Sequence, residues 1–403
     1  MNSPRAITAA STLGEWLDHP VGGELIRGVL APDGGDLAQL EAGRGLPLEV
    51  LVTFGAGELT QDAINDLVVA VNGDPVGIET SHKDSASDDG LAFRADWTLA
   101  EIRMRDPFIV HDPATSMYWL YGTTDKNVWF GAAVGFDAYC STDLTSWEGP
   151  FEAFRPPVGF WSESNYWAPE VHSYQGRWFM FATFTAPDGH RGTQILVSDV
   201  PQGPFSLWSA GTVTPRRWQN LDGTLFLDLA DGPWIVYAHE WGQVHDGIIW
   251  AQRLSTDLRE PLGVPVYLFS ASEAPWARPI PRPATESDKL PSYVTDGPFL
   301  FRLTSGHLIM LWSSFGEHGY AMGIAHSTSG DITGPWTHEE EPLWSADGGH
   351  GMIARLHDGT LALTFHQPNN TPNERPVIRR LIEHETTVII DESTNDNRKW
   401  TSK

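Results

Sequence analysis

A single cysteine, Cys140, stands in a chain of 403 residues, so no intrachain disulfide can hold the fold together. Stability must come from buried apolar surface, and a chain of this length can bury a large core. Basic residues are also scarce: 26 Lys and Arg face 52 Asp and Glu, a formal charge of −26. Binding to phosphate needs clustered positive charge, which excludes nucleic acids and anionic membranes as natural partners. A neutral ligand fits this surface. No run of 18 or more apolar residues is long enough to span a bilayer. Met1–Trp16 lacks the continuous apolar stretch of a secretory leader, so a cytoplasmic location is expected.

Aromatic residues, by contrast, are plentiful, with 18 Trp, 18 Phe and 9 Tyr. Trp faces stack well on sugar rings, but they also fill β cores, and core filling is the fate expected for most. Residues 1–95 differ in texture from the rest. Ser11-Thr12-Leu13-Gly14-Glu15 has the form of a helix capping box, and Trp16, Leu17, Leu25, Ile26 and Leu30 suggest two short amphipathic helices. Leu48–Val52 and Leu67–Val71 read as strands, and the Ser81–Gly90 stretch reads as a linker. The expectation is a small N-terminal α+β appendage over 1–95, followed by an all-β domain over 96–403.

From about Trp97 onward the chain repeats itself. A turn residue followed by an aromatic-rich strand occurs at Ser116–Tyr121, Gly176–Phe181, Gly232–Tyr237, Gly306–Leu311 and Gly359–Thr364. Before each lies a polar start to an apolar strand, opening at Asp106, Glu170, Asp222, Asp296 and His350. The intervals between these starts are 64, 52, 74 and 54 residues, which suits four-stranded blades. A β-sandwich would not explain five similar units, whereas a five-bladed β-propeller does. The first strand of a propeller blade lines the central channel, so the five starts should converge on one pocket. Taken alone, Asp106 could be a turn residue bonded to its own backbone. Convergence makes it a candidate general base.

Five segments in order resemble glycoside hydrolase family 43. They are Arg105-Asp106-Pro107, Trp167-Ala168-Pro169-Glu170-Val171-His172, Leu221-Asp222-Gly223-Thr224-Leu225-Phe226, Thr295-Asp296-Gly297-Pro298 and Gly348-Gly349-His350-Gly351-Met352. The resemblance covers roughly 97–382 and is nearest a branch carrying His239-Glu240-Trp241, mostly arabinosidases. It implies a five-bladed propeller that cleaves arabinosides, xylosides or related glycosides with inversion. An inverting site needs two carboxyl groups roughly 6.5–9.5 Å apart, leaving room for a water beside the base.

By resemblance Asp106 is the base, and Asp222 is the carboxylate that orients the acid and raises its pKa. The general acid is open. The family places Glu before Gly-Pro, where this chain has Asp296, one methylene shorter. Either Asp296 is the acid, or Glu240 takes the role and Asp296 accepts a sugar hydroxyl; we read Glu240 first. Trp161 and Trp167 are expected to wall the sugar subsite, and Glu170, His239, Arg278 and His350 to bind substrate. His350 resembles a central histidine that faces a calcium ion or a water cluster in relatives, so a structural calcium near it is the one metal expectation; no cofactor is required. The substrate expected is a terminal α-L-arabinofuranoside of an oligosaccharide, with β-xylosides and β-galactofuranosides as alternatives. A propeller that binds carbohydrate without cleaving it is the reading from another class, prompted by the missing Glu before Gly297.

Overall fold

The computed structural model describes residues 7–8, 11–30, 48, 61–72, 92–126, 128–129, 132–228, 231–280 and 290–394. Five antiparallel sheets follow one another along the chain, each built on a four-stranded meander. Their innermost strands are Arg105–Asp112, Ser164–Tyr174, Asn220–Asp228, Asp296–Arg302 and Gly349–Arg355, in blades I to V respectively. Each packs beside the next, and the fifth packs beside the first, which closes a five-bladed β-propeller.

The second strands are Met117–Thr123, Arg177–Thr185, Gly232–His239, Leu308–Gly316 and Leu361–Gln367. They are the five aromatic-rich repeats. Alternation along each strand sends Tyr121, Phe181, Tyr237, Trp312 and Phe365 into the layers between blades, where all five are fully buried. A ring buried this way stabilises by roughly 3–5 kcal/mol relative to alanine. Core filling therefore accounts for most of the aromatic excess.

The seam between blades V and I rests on a buried ion pair. Arg105 Nη1 lies 3.0 Å from Glu374 Oε1, with the Glu374 side chain fully enclosed. Thr371 Oγ1 also donates to Glu374, and the Met104 N–H donates to the Glu374 carbonyl. Removing one partner strands the other charge away from water. Glu374→Gln should lower the unfolding free energy by about 3 kcal/mol, read as a reduced denaturant midpoint.

The propeller starts earlier than the boundary drawn at 95. Arg94–Trp97 pairs with Trp147–Phe154 as an outer fifth strand of blade I, so that boundary falls inside a strand. In the appendage the capping box forms: Glu15 N–H donates to Thr12 Oγ1, and Thr12 N–H donates to the Glu15 carboxylate. It opens helix α1 (Leu13–Asp18), which packs against α2 (Gly22–Leu30). The strand expected at Leu67–Val71 is instead the end of helix α3, Gln61–Asn72. An unbroken apolar run does not distinguish the two periods. Ile64, Leu67, Val68 and Val71 form the i, i+3, i+4, i+7 face that packs on α1 and α2. Apart from Leu48, which is helical, the expected strand at 48–52 lies outside the described residues, as does the linker at 81–90.

Candidate active site

Every innermost strand begins with the same irregularity. In blade I, Arg105 pairs with Thr123, but pairing resumes at Phe108 with Tyr121, leaving one extra residue on the inner strand. The same bulge follows Trp167, Leu221, Asp296 and Gly349. At its centre each strand holds a residue in the left-handed region: Asp106 (φ 52°), Ala168 (45°), Asp222 (55°), Gly297 (51°) and His350 (51°). A bulge re-aims side chains at the strand's mouth. Asp and His tolerate this conformation better than most residues, whereas it strains Ala168 by roughly 1–2 kcal/mol. At Gly297 a Cβ would also stand 2.7 Å from the His350 ring, so glycine is required twice over.

This register corrects the expected set of five equivalent positions. Asp106, Asp222 and His350 do share one level of the channel. Glu170 lies two residues deeper than its blade's bulge, level with Phe108 and Phe299, because the bulge in blade II falls on Ala168. Asp296 lies one residue before the Gly297 bulge. Glu170 is buried and faces His172, whose Nε2 lies 3.2 Å from its carboxylate.

Three carboxyl groups and an imidazole nevertheless meet at the channel mouth. His350 Nδ1 lies 3.2 Å from Asp106 Oδ1 and 3.6 Å from Asp222 Oδ2. Thr123 Oγ1 donates to Asp106 Oδ2 at 2.7 Å. Tyr320 Oη donates to Asp296 Oδ2 at 2.9 Å, and the Gly297 N–H donates to Asp222 Oδ2 at 3.0 Å. The Asp106 N–H donates to His366 Nδ1, whose Nε2 faces Asn369 Oδ1 at 3.3 Å. That fixes His366 as the Nε2–H tautomer. Burial pushes its pKa down to about 3, so its 3.5 Å approach to Asp106 Oδ1 is a contact with a neutral ring and no ion pair.

The environment splits the carboxyls into two kinds. Burial alone would raise the Asp106 pKa, but the neighbouring His350 ring and the Arg105 guanidinium outweigh it and hold the group below the ordinary aspartate value. Burial pushes Asp222 well above that value, and the Asp106 charge adds to the effect. Asp296 is pushed up to about 7 by burial and then by Asp222, against opposing influences from His350 and Tyr320. Its accessible surface marks it as partly exposed, although protein surrounds it on most sides. One carboxylate that stays ionised beside a carboxyl that keeps its proton to neutral pH is the pairing acid–base chemistry needs.

The other expected residues divide between the rim and positions elsewhere. Glu240 follows the second strand of blade III and forms an ion pair with Arg191 of blade II. Arg191 also donates to Thr185 Oγ1 and lies 4.3 Å over the Trp167 ring. Glu240, Arg191 and Trp167 are thus one unit on the blade II–III side. Trp161, partly exposed, belongs to the blade II aromatic cluster, and its N–H is taken by Gln194. His239 stacks on Trp218 with ring centroids 4.6 Å apart and bonds Gln243 through Nε2. Among the described residues no contact brings Arg278 to the carboxyls; its guanidinium bonds the Pro275 and Ala277 carbonyls of its own loop. His350 turns Nδ1 toward the Asp106 and Asp222 carboxyls, so a metal ion or water it held would be met by Nε2. Among the described residues no three His, Cys, Asp or Glu side chains are grouped to hold a metal ion.

Thr123, Tyr320, His366 and Arg191 were not singled out in the sequence. Thr123 and His366 lie two residues beyond the last aligned positions of their repeats, Tyr121 and Thr364, where extending the alignment would have found them. Tyr320 and Arg191 begin third strands and carry no local signal.

Comparison with known proteins places this geometry. Residues 99–386 match the family described as Glycosyl hydrolases family 43. The solved structure of an endo-arabinase from Bacteroides thetaiotaomicron VPI-5482 is 40% identical, with a TM-score of 0.66 and an alignment covering 73% of this chain and 99% of that one. An exo-1,5-alpha-L-arabinanase from a bovine ruminal metagenomic library shares the fold at 18% identity and a TM-score of 0.54, covering 72% and 97%. Alpha-L-arabinofuranosidase 43 of Humicola insolens is 22% identical over 244 residues, 53% of this chain and 47% of that protein, so the chain spans about half the length of this curated relative. With the family match spanning most of the propeller and a 40%-identical relative aligned almost end to end, the chain belongs to glycosyl hydrolase family 43, a family of inverting glycoside hydrolases.

Proposed function

We propose that the chain is an inverting, exo-acting glycosidase that removes terminal α-L-arabinofuranosyl residues from oligosaccharides. The observation that carries this reading is the pairing of an ionised Asp106 with an Asp296 that keeps its proton to about pH 7 at one end of the channel. Asp106 accepts a proton from water as that water attacks the anomeric carbon. Asp296 protonates the glycosidic oxygen as the carbon–oxygen bond breaks. Burial keeps Asp296 protonated, and the Asp222 carboxyl beside it adds to the effect. One bond forms, one breaks, and exchange with solvent resets both carboxyls.

Glu240 is assigned to the rim rather than to proton delivery, because its carboxylate is engaged by the Arg191 guanidinium. Its pairing with Arg191 over Trp167 walls one side of the mouth, which favours a chain end over a mid-chain linkage. Arabinofuranose as the sugar is supported by the names of the Bacteroides thetaiotaomicron and Humicola insolens relatives.

Aryl α-L-arabinofuranoside, β-xyloside and β-galactofuranoside assayed side by side test the reading. Turnover of the arabinofuranoside, with the β-anomer formed first in proton NMR, supports it. Preference for another glycoside would overturn the substrate, first appearance of the α-anomer would overturn the mechanism, and binding without turnover would overturn the enzyme. The pH dependence follows from the two carboxyls. The Asp296 pKa is raised and its protonated form is the active one, so kcat/KM should hold below about pH 7 and fall as pH rises through it. The Asp106 pKa is lowered and its ionised form is active, so the acid limb should lie below the ordinary aspartate range.

A further inference from the structure

The five bulged N–H groups at the channel mouth are capped by a rule with one exception. In four cases the acceptor is a side chain from the second strand of the preceding blade, at the position that pairs with the residue before that blade's own bulge. Thr123 accepts from Ala168, Thr183 from Asp222, Ser313 from His350 and His366 from Asp106, at 2.8, 2.9, 2.8 and 3.2 Å. In blade III that position, paired with Leu221, is Ala238, which has no polar atom. The Gly297 N–H it would have capped donates to Asp222 instead.

Asp106 and Asp222 therefore occupy the same register but are tethered differently to the following blade. Asp106 reaches the next bulged amide through an inserted hydroxyl: Ala168 N–H donates to Thr123 Oγ1, which donates to Asp106 Oδ2. Asp222 touches the next amide directly and so leans on blade IV, where Asp296 stands beside Gly297. We infer that the Thr123/Ala238 difference gives two equivalent aspartates unequal jobs, Thr123 holding Asp106 back from its neighbour blade and Ala238 letting Asp222 lie against the proton-donating side. Both are positioning residues, and the inference rests on the assignment of Asp106 as base and Asp296 as acid.

Ala238→Thr and Ala238→Val add nearly the same volume to this fully buried site, so their difference isolates the hydroxyl. The Thr variant should cap Gly297 and donate to Asp222 in turn, drawing the Asp222 carboxylate away from Asp296. With Asp222 farther off, the neighbour that helps raise the Asp296 pKa is weakened, and Asp296 loses its proton more readily. The alkaline limb of kcat/KM should then fall at a pH about one unit lower in the Thr variant than in the Val variant, a tenfold difference at a fixed pH above the limb. The complementary Thr123→Val should move the acid limb upward, because Asp106 loses a donor to its charged form. Coincident alkaline limbs for the Ala238 variants would overturn the inference.

Crystal structures of the wild type and of the smaller Ala238→Ser supply a readout independent of activity. Supporting results are a Ser oxygen about 3 Å from the Gly297 nitrogen with Asp222 displaced; Asp222 Oδ2 still bonded to Gly297 would contradict it. A wild type that turns over no glycoside would sink the functional reading, while these structures would still decide the placement.

Discussion

Replacing Asp106 with Asn should lower kcat/KM by about 10³–10⁴-fold on every glycoside, activated or not. The loss should be indifferent to the leaving group because water must be deprotonated in each case. Asn keeps the size of the side chain and tolerates the left-handed backbone at this position. It can also still accept from Thr123, so the fold should persist and thermal unfolding should change little. Only the ability to take a proton is removed. Azide, a nucleophile that needs no base, should restore turnover in the variant and yield a glycosyl azide of inverted configuration. Azide rescue with retention, or a loss confined to poor leaving groups, would assign Asp106 a different role.

The second large effect is expected at Asp296. Asp296→Asn should reduce kcat/KM on arabino-oligosaccharides by about 10²–10⁴-fold, the usual contribution of a general acid to expelling an unactivated sugar. Glu240→Gln should cost roughly tenfold or less, because that carboxylate pairs with Arg191 at the rim and its loss loosens the wall without removing a proton donor. The contrast comes from surroundings rather than residue type. Asp296 is enclosed, lies near Asp222 and receives one hydrogen bond from Tyr320. Glu240 has a fixed positive partner that itself stacks on Trp167.

Much of this architecture was legible in the residues. The aromatic repeats marked the second strand of every blade, and polar starts marked the first, because a propeller reuses one short antiparallel unit. What local pattern could not supply was the bulge. It adds one residue to each inner strand, and that residue is Ala168 or Gly297 in blades II and IV, where Glu170 and Asp296 are more conspicuous in sequence. The bulge exists through pairing with the second strand and through caps donated by another blade, both long-range facts. The same holds for Glu240, whose partner Arg191 is 49 residues away and on a different blade. Leu67–Val71 was misread for a simpler reason: an apolar run of that length suits either period, and the helical face emerges only when Ile64 is counted with it.

The most direct test of the central claim is the dependence of kcat/KM on leaving-group pKa for a series of aryl α-L-arabinofuranosides, measured for the wild type, Asp296→Asn and Glu240→Gln. If Asp296 delivers the proton, its variant should retain most activity on the best leaving groups and lose it steeply as leaving-group pKa rises. The Glu240→Gln line should run parallel to wild type at a lower level. A steep line for Glu240→Gln with a parallel one for Asp296→Asn would contradict the assignment and move the general acid to the rim.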